Sequence, residues 1–236
     1  MVIKCIGTGS SGNCYVLKAD NGNMVMLDAG LSIKDIKIGI DFQVSKLQVV
    51  CLTHGHQDHL RSEKDLRKMG IPIIAPFEGK QTSNVYGLNY IQSFALTDND
   101  GNPTHSNGDG SPCECYGYIV SHPDMGRLLY VTDTQFVKYR FQHINHMLIG
   151  CNFASDLIAE SENTQKKMHC YSGHMSLETC KDFVASMTEK NTISNIMLCH
   201  LSADNSNDDY FTDEIKKVAK NANVCVLHKG TEIRLM

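Results

Sequence analysis

The chain has 236 residues, 42% of them hydrophobic and 20% charged, enough apolar material to bury a core, which excludes disordered and fibrous classes. Its formal net charge of -4 and pI near 6.2 exclude a generic electrostatic grip on duplex nucleic acid, which needs a basic face. No apolar run approaches the roughly 18 to 20 residues of a membrane span, and Met1 to Gly9 lacks the features of a signal peptide. Ten cysteines are spread along the chain, several of them (Cys51, Cys199, Cys225) inside apolar strand-like runs. They read as reduced core thiols, and the expected setting is the cytoplasm, with no membrane partner.

Short apolar runs bounded by Gly, Asn and Asp predict strands at Val2 to Ile6, Cys14 to Lys18, Met24 to Leu27 and Leu47 to Leu52. Asn21-Gly22-Asn23 is a hairpin signal, because Asn and Gly accept the positive φ of such turns. A helix is expected over Arg61 to Met69, ending at Gly70, with a strand at Ile71 to Ala75. From Asp98 to Cys115 the composition turns to Asn, Asp, Gly, Ser and Pro, which is loop chemistry. Strands should follow at Gly117 to Ser121 and Leu128 to Thr132, then helices at Leu177 to Glu189 and Asp209 to Lys220, with strands at Ile193 to Cys199 and Val224 to Leu227. No repeat or linker divides the chain, so the pattern predicts one layered α/β domain over residues 1–236.

The chemistry is concentrated in His54-Gly55-His56-Gln57-Asp58-His59, directly after the apolar run LeuGlnValValCysLeu. Side chains at the carboxyl end of a buried strand project from a rigid scaffold, and His and Asp are the nitrogen and oxygen ligands that Zn2+ and its neighbours prefer. One loop cannot supply two metals, so further ligands should stand at strand ends downstream. His105, Asp133 and His200 fit that requirement.

These residues resemble the metallo-β-lactamase-fold hydrolases, whose HxHxDH signature is met by HisGlyHisGlnAspHis and whose later His, Asp, His order is also present; Asp28, in MetLeuAspAlaGly, looks like their early structural Asp. SerSerGlyAsn at Ser10 to Asn13, GlyHisMetSer at Gly173 to Ser176 and HisLeuSerAlaAspAsn at His200 to Asn205 extend the resemblance to the YycJ/WalJ subgroup, described as DNA-processing hydrolases. The resemblance implies an αββα sandwich, two mixed sheets face to face with helices outside. It also implies one metal held by His54, His56 and His105, and a second by Asp58, His59 and His200, with Asp133 bridging. Two cations would lower the pKa of a shared water toward ~7 and clamp a scissile phosphate. Asp58 would orient that water and take its proton, and His174 would assist a phosphate oxygen or the leaving group. Zn2+ is the first choice of metal and Mn2+ the second, since these ligands suit both.

Ser10, Ser11, Asn13, Asn152 and Asn205 are the expected substrate contacts. Where the subgroup carries an acidic Glu-Ser-Asn-His-Asp stretch, this chain has Gly150-Cys151-Asn152-Phe153-Ala154 and keeps only the Asn. His143 and His146 rival His105 but break the family order, and read as structural or surface residues. Lys138, Arg140, Lys166 and Lys167 would track phosphates if they line the cleft, and Tyr139, Phe141, Phe153 and Tyr171 could stack bases or fill the core. The function expected is a phosphodiester hydrolase, a nuclease of exonuclease type acting on DNA. The alternative is a phosphodiesterase for cyclic nucleotides, and behind it stand other hydrolases of the fold or a non-catalytic metal-binding module. The superfamily commonly dimerises, so a homodimer is the assembly to look for, although no exposed apolar stripe marks one.

Overall fold

The computed structural model describes residues 1–79, 83–159 and 171–236. Lys166 and Lys167 lie outside the described residues. Two sheets form the frame. The first holds β1 (Val2–Gly7), β2 (Cys14–Lys18), β3 (Met24–Leu27), β4 (Leu47–Cys51) and β5 (Ile73–Ile74), and its order is completed at the β1 edge by the last strand, β13 (Glu232–Arg234). The second runs β12-β11-β10-β9-β8-β7-β6. Its strands are β6 (Ser83–Tyr86), β7 (Asn89–Ala95), β8 (Tyr116–His122), β9 (Gly126–Val131), β10 (His146–Gly150), β11 (Asn195–Cys199) and β12 (Asn223–Val226).

Both sheets are mixed. β13, β1, β2 and β3 pair antiparallel, while β3, β4 and β5 are parallel; β6 to β9 are antiparallel, while β9 to β12 are parallel. Alternate side chains of each strand serve different layers, because successive Cβ atoms point to opposite faces. Tyr118, Val120, Leu148 and Met197 face Tyr15, Leu17, Leu27 and Val49 across the middle of the sandwich. Ile119, Met147 and Ile149 point outward against Leu177, Val184 and Phe211 of α4 (Leu177–Thr188) and α5 (Asp208–Lys216). On the other flank Met26 and Val50 meet Ile36 and Leu66 of α1 (Ile33–Gly39) and α3 (Glu63–Lys68). This is the αββα sandwich expected from the sequence. Strands buried on both faces read as continuous apolar runs, which is why so many were visible.

Two helices differ from expectation. The helix expected over Arg61 to Met69 is the shorter α3, and a further one-turn helix, α2 (Gln57–Leu60), precedes it, so helical structure begins inside the His54–His59 turn. The last helix stops at Lys216, four residues early. Among the elements not foreseen, α1 is started by Ser32, whose side chain accepts from the Asp35 amide, and the β6–β7 hairpin alternates buried and exposed residues along β7. Among the described residues no helix is long and apolar enough to cross a membrane. The described cysteines are free, and all but Cys225 are buried.

Candidate metal centre

Parallel pairing gathers the carboxyl ends of β3, β4, β9, β10 and β11 along one edge of the sandwich, the place where open α/β sheets form their clefts. Asp28 follows β3, the His54–His59 turn follows β4, Asp133 follows β9 and His200 follows β11. Asp28, Asp133 and His200 have φ of 57°, 48° and 55°. That left-handed conformation is uncommon in residues with a Cβ, and it turns each chain sharply as it leaves its strand. The turn is held closely: a Cβ on Gly30 would stand 1.6 Å from the Asp58 carbonyl oxygen.

The hydrogen bonds around the first three imidazoles fix where each proton sits. Thr53 Oγ1 donates to Asp28, at 3.0 and 3.1 Å from its two oxygens, so the hydroxyl is left to accept from His54 Nδ1 at 3.0 Å. His54 Nε2 therefore carries the lone pair, and it is buried without a hydrogen-bond partner. His105 Nδ1 lies 2.8 Å from the Gly173 carbonyl, which can only accept, so His105 Nε2 is also a lone pair. Asn107 Nδ2 donates to Ser111 Oγ and the Pro112 carbonyl, which turns Oδ1 toward His56 Nε2 at 2.9 Å and leaves the His56 lone pair on Nδ1. His56 Nδ1 and His105 Nε2 then face each other at 3.2 Å. Lone pairs converging in a buried site repel one another unless a cation stands between them, so this donor set fits a divalent metal.

Four overlapping sets place their ligand atoms within 4.8 Å: His54, His56 and His105; His54, His59 and Asp133; Asp58, His59 and His200; and Asp133, His174 and His200. Asp133 and His59 each belong to two of them, and the structure so brings together all seven residues expected to hold metal. Asp133 Oδ2 is 2.8 Å from His59 Nε2, and its Oδ1 is 2.9 Å from His174 Nδ1. Burial works against charge throughout, and neighbours decide the outcome. It leaves His54 with a pKa well below the usual imidazole value and lowers His105 to about 4. Burial opposes the charged form of His59 too, but Asp28 and Asp133 on its two sides raise it well above the ordinary value. Burial would likewise raise Asp133 and Asp58, yet the imidazoles around them (His200 and His59 at both, His174 at Asp133) hold both carboxyls low.

A cleft of about 630 Å3 opens over these ligands, walled by Ser10, Gln57, Gly108, Asn152, His174 and the Leu201–Asp204 segment. Ser10 and Asn152 thus stand in its wall. Asn152 also holds His200, donating to its carbonyl at 2.8 Å. Three of the expected substrate contacts do not line the cleft. Asn13 is fully buried behind the ligands, its Oδ1 accepting from Gly9 N and Tyr15 OH and its Nδ2 donating to the Gly9 carbonyl and lying 3.0 Å from His59 Nε2, so it braces the loop against His59. Asn205 is buried as well, tied to Ser202 Oγ and to the amide of Ala154. Ser11 is exposed and does not line the cleft.

Lys138 is spent on Thr97 and the Asp98 carbonyl, and Arg140 on the carbonyls of Val137 and Tyr139 beside the Phe183 ring. Among the described residues no Lys or Arg lines the cleft. His146, the buried rival, sits at the opposite end of β10, between the Met125 carbonyl and Asn195, and His143 is exposed. Three partners were not read from the sequence: Tyr130, which donates to Asp28 at 2.6 Å; Asn107; and Thr8, which accepts from the His200 amide at 2.9 Å.

The family model described as the metallo-beta-lactamase superfamily matches residues 7–72, the segment from the end of β1 through the His54–His59 turn. The two-sheet architecture is repeated in solved structures over nearly their whole length. This is the metallo-β-lactamase fold. The metallo-β-lactamase fold protein YhfI from Bacillus subtilis is 17% identical, with 98% of each chain covered and a TM-score of 0.72. Yeast PDE1 is 11% identical over 99% of both chains, with a TM-score of 0.65. The short form of human tRNase Z is 12% identical over 100% of both, with a TM-score of 0.61. No curated protein matches the sequence. At these identities the likeness is one of fold.

Proposed function

We propose that this protein is a dinuclear metal-dependent phosphodiester hydrolase that acts as a nuclease on DNA ends or short strands. The observation that carries the reading is the pair of ligand sets, His54–His56–His105 and Asp58–His59–His200, with Asp133 between them beneath an open cleft. Two divalent cations, Zn2+ or Mn2+, would supply Lewis acidity to a water and to the phosphate oxygens. The chain's own residues do the rest. Asp58, partly exposed and held as a carboxylate, faces the cleft where a nucleophile would enter and can accept its proton. His174, whose Nδ1 is 2.9 Å from Asp133 Oδ1, is oriented with Asp133 as its anchor and lines the cleft, a position from which it can donate a proton to a leaving oxygen. Similarity of fold to tRNase Z and PDE1, and the YycJ/WalJ-like SerSerGlyAsn and GlyHisMetSer segments, support phosphodiester chemistry.

A second reading rests on the bare cleft wall. A nuclease tracks a polyanion with cationic side chains, and none stands there among the described residues; a cyclic nucleotide, with one phosphate to bind, needs only the two cations. Product analysis by liquid chromatography and mass spectrometry separates the two. Metal-loaded protein is incubated with 5'-phosphorylated single- and double-stranded DNA and with a panel of cyclic nucleotides, with Asp58→Ala as control. Nucleotides released from DNA and lost in the variant support the nuclease. Linear nucleotides formed from cyclic ones while DNA stays intact support the second reading, and no turnover of either defeats both.

A further inference from the structure

The segment between β7 and β8 is loop by composition, yet it closes on itself twice, through bridges Thr97–Pro103 and Ser106–Pro112. The second closure is built around Asn107. Its amide donates to the Ser111 carbonyl, its Nδ2 to Ser111 Oγ at 2.9 Å and to the Pro112 carbonyl at 3.3 Å. Ser111 is itself fixed by Asp109 Oδ1, which accepts from its amide and its hydroxyl at 2.9 and 2.6 Å. With both hydrogens of the amide group committed to oxygens, Asn107 can present only Oδ1 to His56 Nε2. Every other buried imidazole of the first set takes its orienting contact from a residue on the sandwich or from backbone; His56, the half-buried one, takes it from this loop.

We infer that Asn107 is a positioning residue for metal binding: the 106–112 loop holds its amide so that His56 keeps its proton on Nε2 and offers Nδ1 to the cation shared with His54 and His105. The inference rests on the reading of those three residues as a metal site, and not on which phosphodiester is cleaved. An imidazole free to take either tautomer or to rotate pays for its orientation at the moment of binding, and loss of such a partner typically weakens metal binding by about 10–100-fold. A carboxylate at the same place also accepts from Nε2, so it should preserve the effect where an apolar residue cannot.

The test is Zn2+ titration against a chromophoric chelator, resolving both affinities, on wild type, Asn107→Ala and Asn107→Asp, with thermal melts of the metal-free proteins. The expected result is that Asn107→Ala weakens one of two cations by about 10–100-fold and leaves the other cation and the metal-free melt unchanged, while Asn107→Asp binds as tightly as wild type or more so. Wild-type affinities in Asn107→Ala overturn the inference. So does a loss in Asn107→Asp equal to that in Asn107→Ala, or weakening of both cations together with a lowered metal-free melt, which would report loop collapse. A wild-type protein that takes up no Zn2+ defeats the metal-site reading itself.

Discussion

Asp28 Oδ2 and His59 Nδ1 meet at 2.7 Å with neither side chain exposed. The carboxylate also accepts from the Thr53 amide at 2.8 Å, the Thr53 hydroxyl and Tyr130 OH at 2.6 Å, so one buried anion locks the end of β3 to the start of the ligand turn and to the opposite sheet. A carboxylate behind a histidine fixes its tautomer and raises its basicity as a ligand. Asp28→Asn keeps the shape but turns an NH2 group toward donors. It should weaken one cation by about 10–100-fold and, because buried donors lose their acceptor, cost about 1–3 kcal/mol. Zn2+ titration and urea unfolding of the metal-free protein measure the two effects; normal affinity with normal stability would show that Asp28 only fills space.

The two ligand sets should differ in the protons they release. Burial keeps His54 and His105 neutral at pH 7, His105 with a pKa of about 4, whereas Asp28 and Asp133 hold His59 protonated to well above the usual value. A cation entering beside His59 must displace its Nε2 proton, so its affinity rises with pH until His59 titrates by itself. Where one proton is displaced the slope is about tenfold per pH unit. A cation entering between His54 and His105 displaces no proton from either. Calorimetric titration in two buffers of different ionisation enthalpy reads this directly, with more protons released at one step than at the other; equal release at both steps would contradict the assignment.

The parts of this site that were legible in the sequence are those that chain adjacency delivers. His54, His56, Asp58 and His59 fall within one turn, and the apolar run before them marks a strand buried on both faces. Asp133 and His200 needed an argument about strand ends, which holds because β9, β10 and β11 run parallel; His105 departs from it, standing in the loop between β7 and β8 and held there by the Gly173 carbonyl. What stayed hidden depends on distance in the chain: Tyr130 reaches Asp28 across 102 positions and Thr8 reaches His200 across 192, and no local pattern records such pairs. Asn13 misled for a related reason. A polar residue in a Gly/Ser loop looks available to an anion, and only the fold shows its amide turned to Gly9, Tyr15 and the His59 ring. The short α1 carries one fully buried residue, Ile36, too little periodicity to announce a helix.

Gly173 gives a steric test of the His105 position. A Cβ there would lie 2.5 Å from His105 Nδ1, closer than any ordinary contact, while the residue's own φ is not in the left-handed region. Gly173→Ala should therefore displace the imidazole rather than strain the backbone. The expected outcome is a metal content falling from two toward one per chain by elemental analysis, with a far-UV spectrum like that of wild type. Two tightly held metals in the variant would mean that the 171–176 segment yields and His105 does not.

Removing metal should cost stability by mass action, since the folded chain alone assembles the ligands. A cation present at 100 times its Kd adds about 2.7 kcal/mol, which for a chain of this size is about 5–10 °C in Tm. Calorimetric scans with and without a chelator should show at least that drop, reversed by adding Zn2+. The His54→Ala variant should gain less in Tm from Zn2+ than wild type, because the buried Nε2 lone pair of the first set is gone while the second set is intact. A chelator-insensitive wild type would count against any preorganised centre.

His174 separates catalysis from metal holding. Its ring shares one ligand set with Asp133 and His200, yet its Nδ1 already has Asp133 Oδ1 at 2.9 Å. As a proton donor it acts on the leaving oxygen, so its loss should scale with how badly the leaving group needs a proton. His174→Ala should lower kcat by about 100- to 10,000-fold on an alkyl phosphodiester and far less on a p-nitrophenyl ester, whose leaving group departs unprotonated, with two metals still bound. Equal losses on both esters accompanied by a missing metal would instead make His174 a ligand, and Asp133 its neighbour in the same coordination sphere.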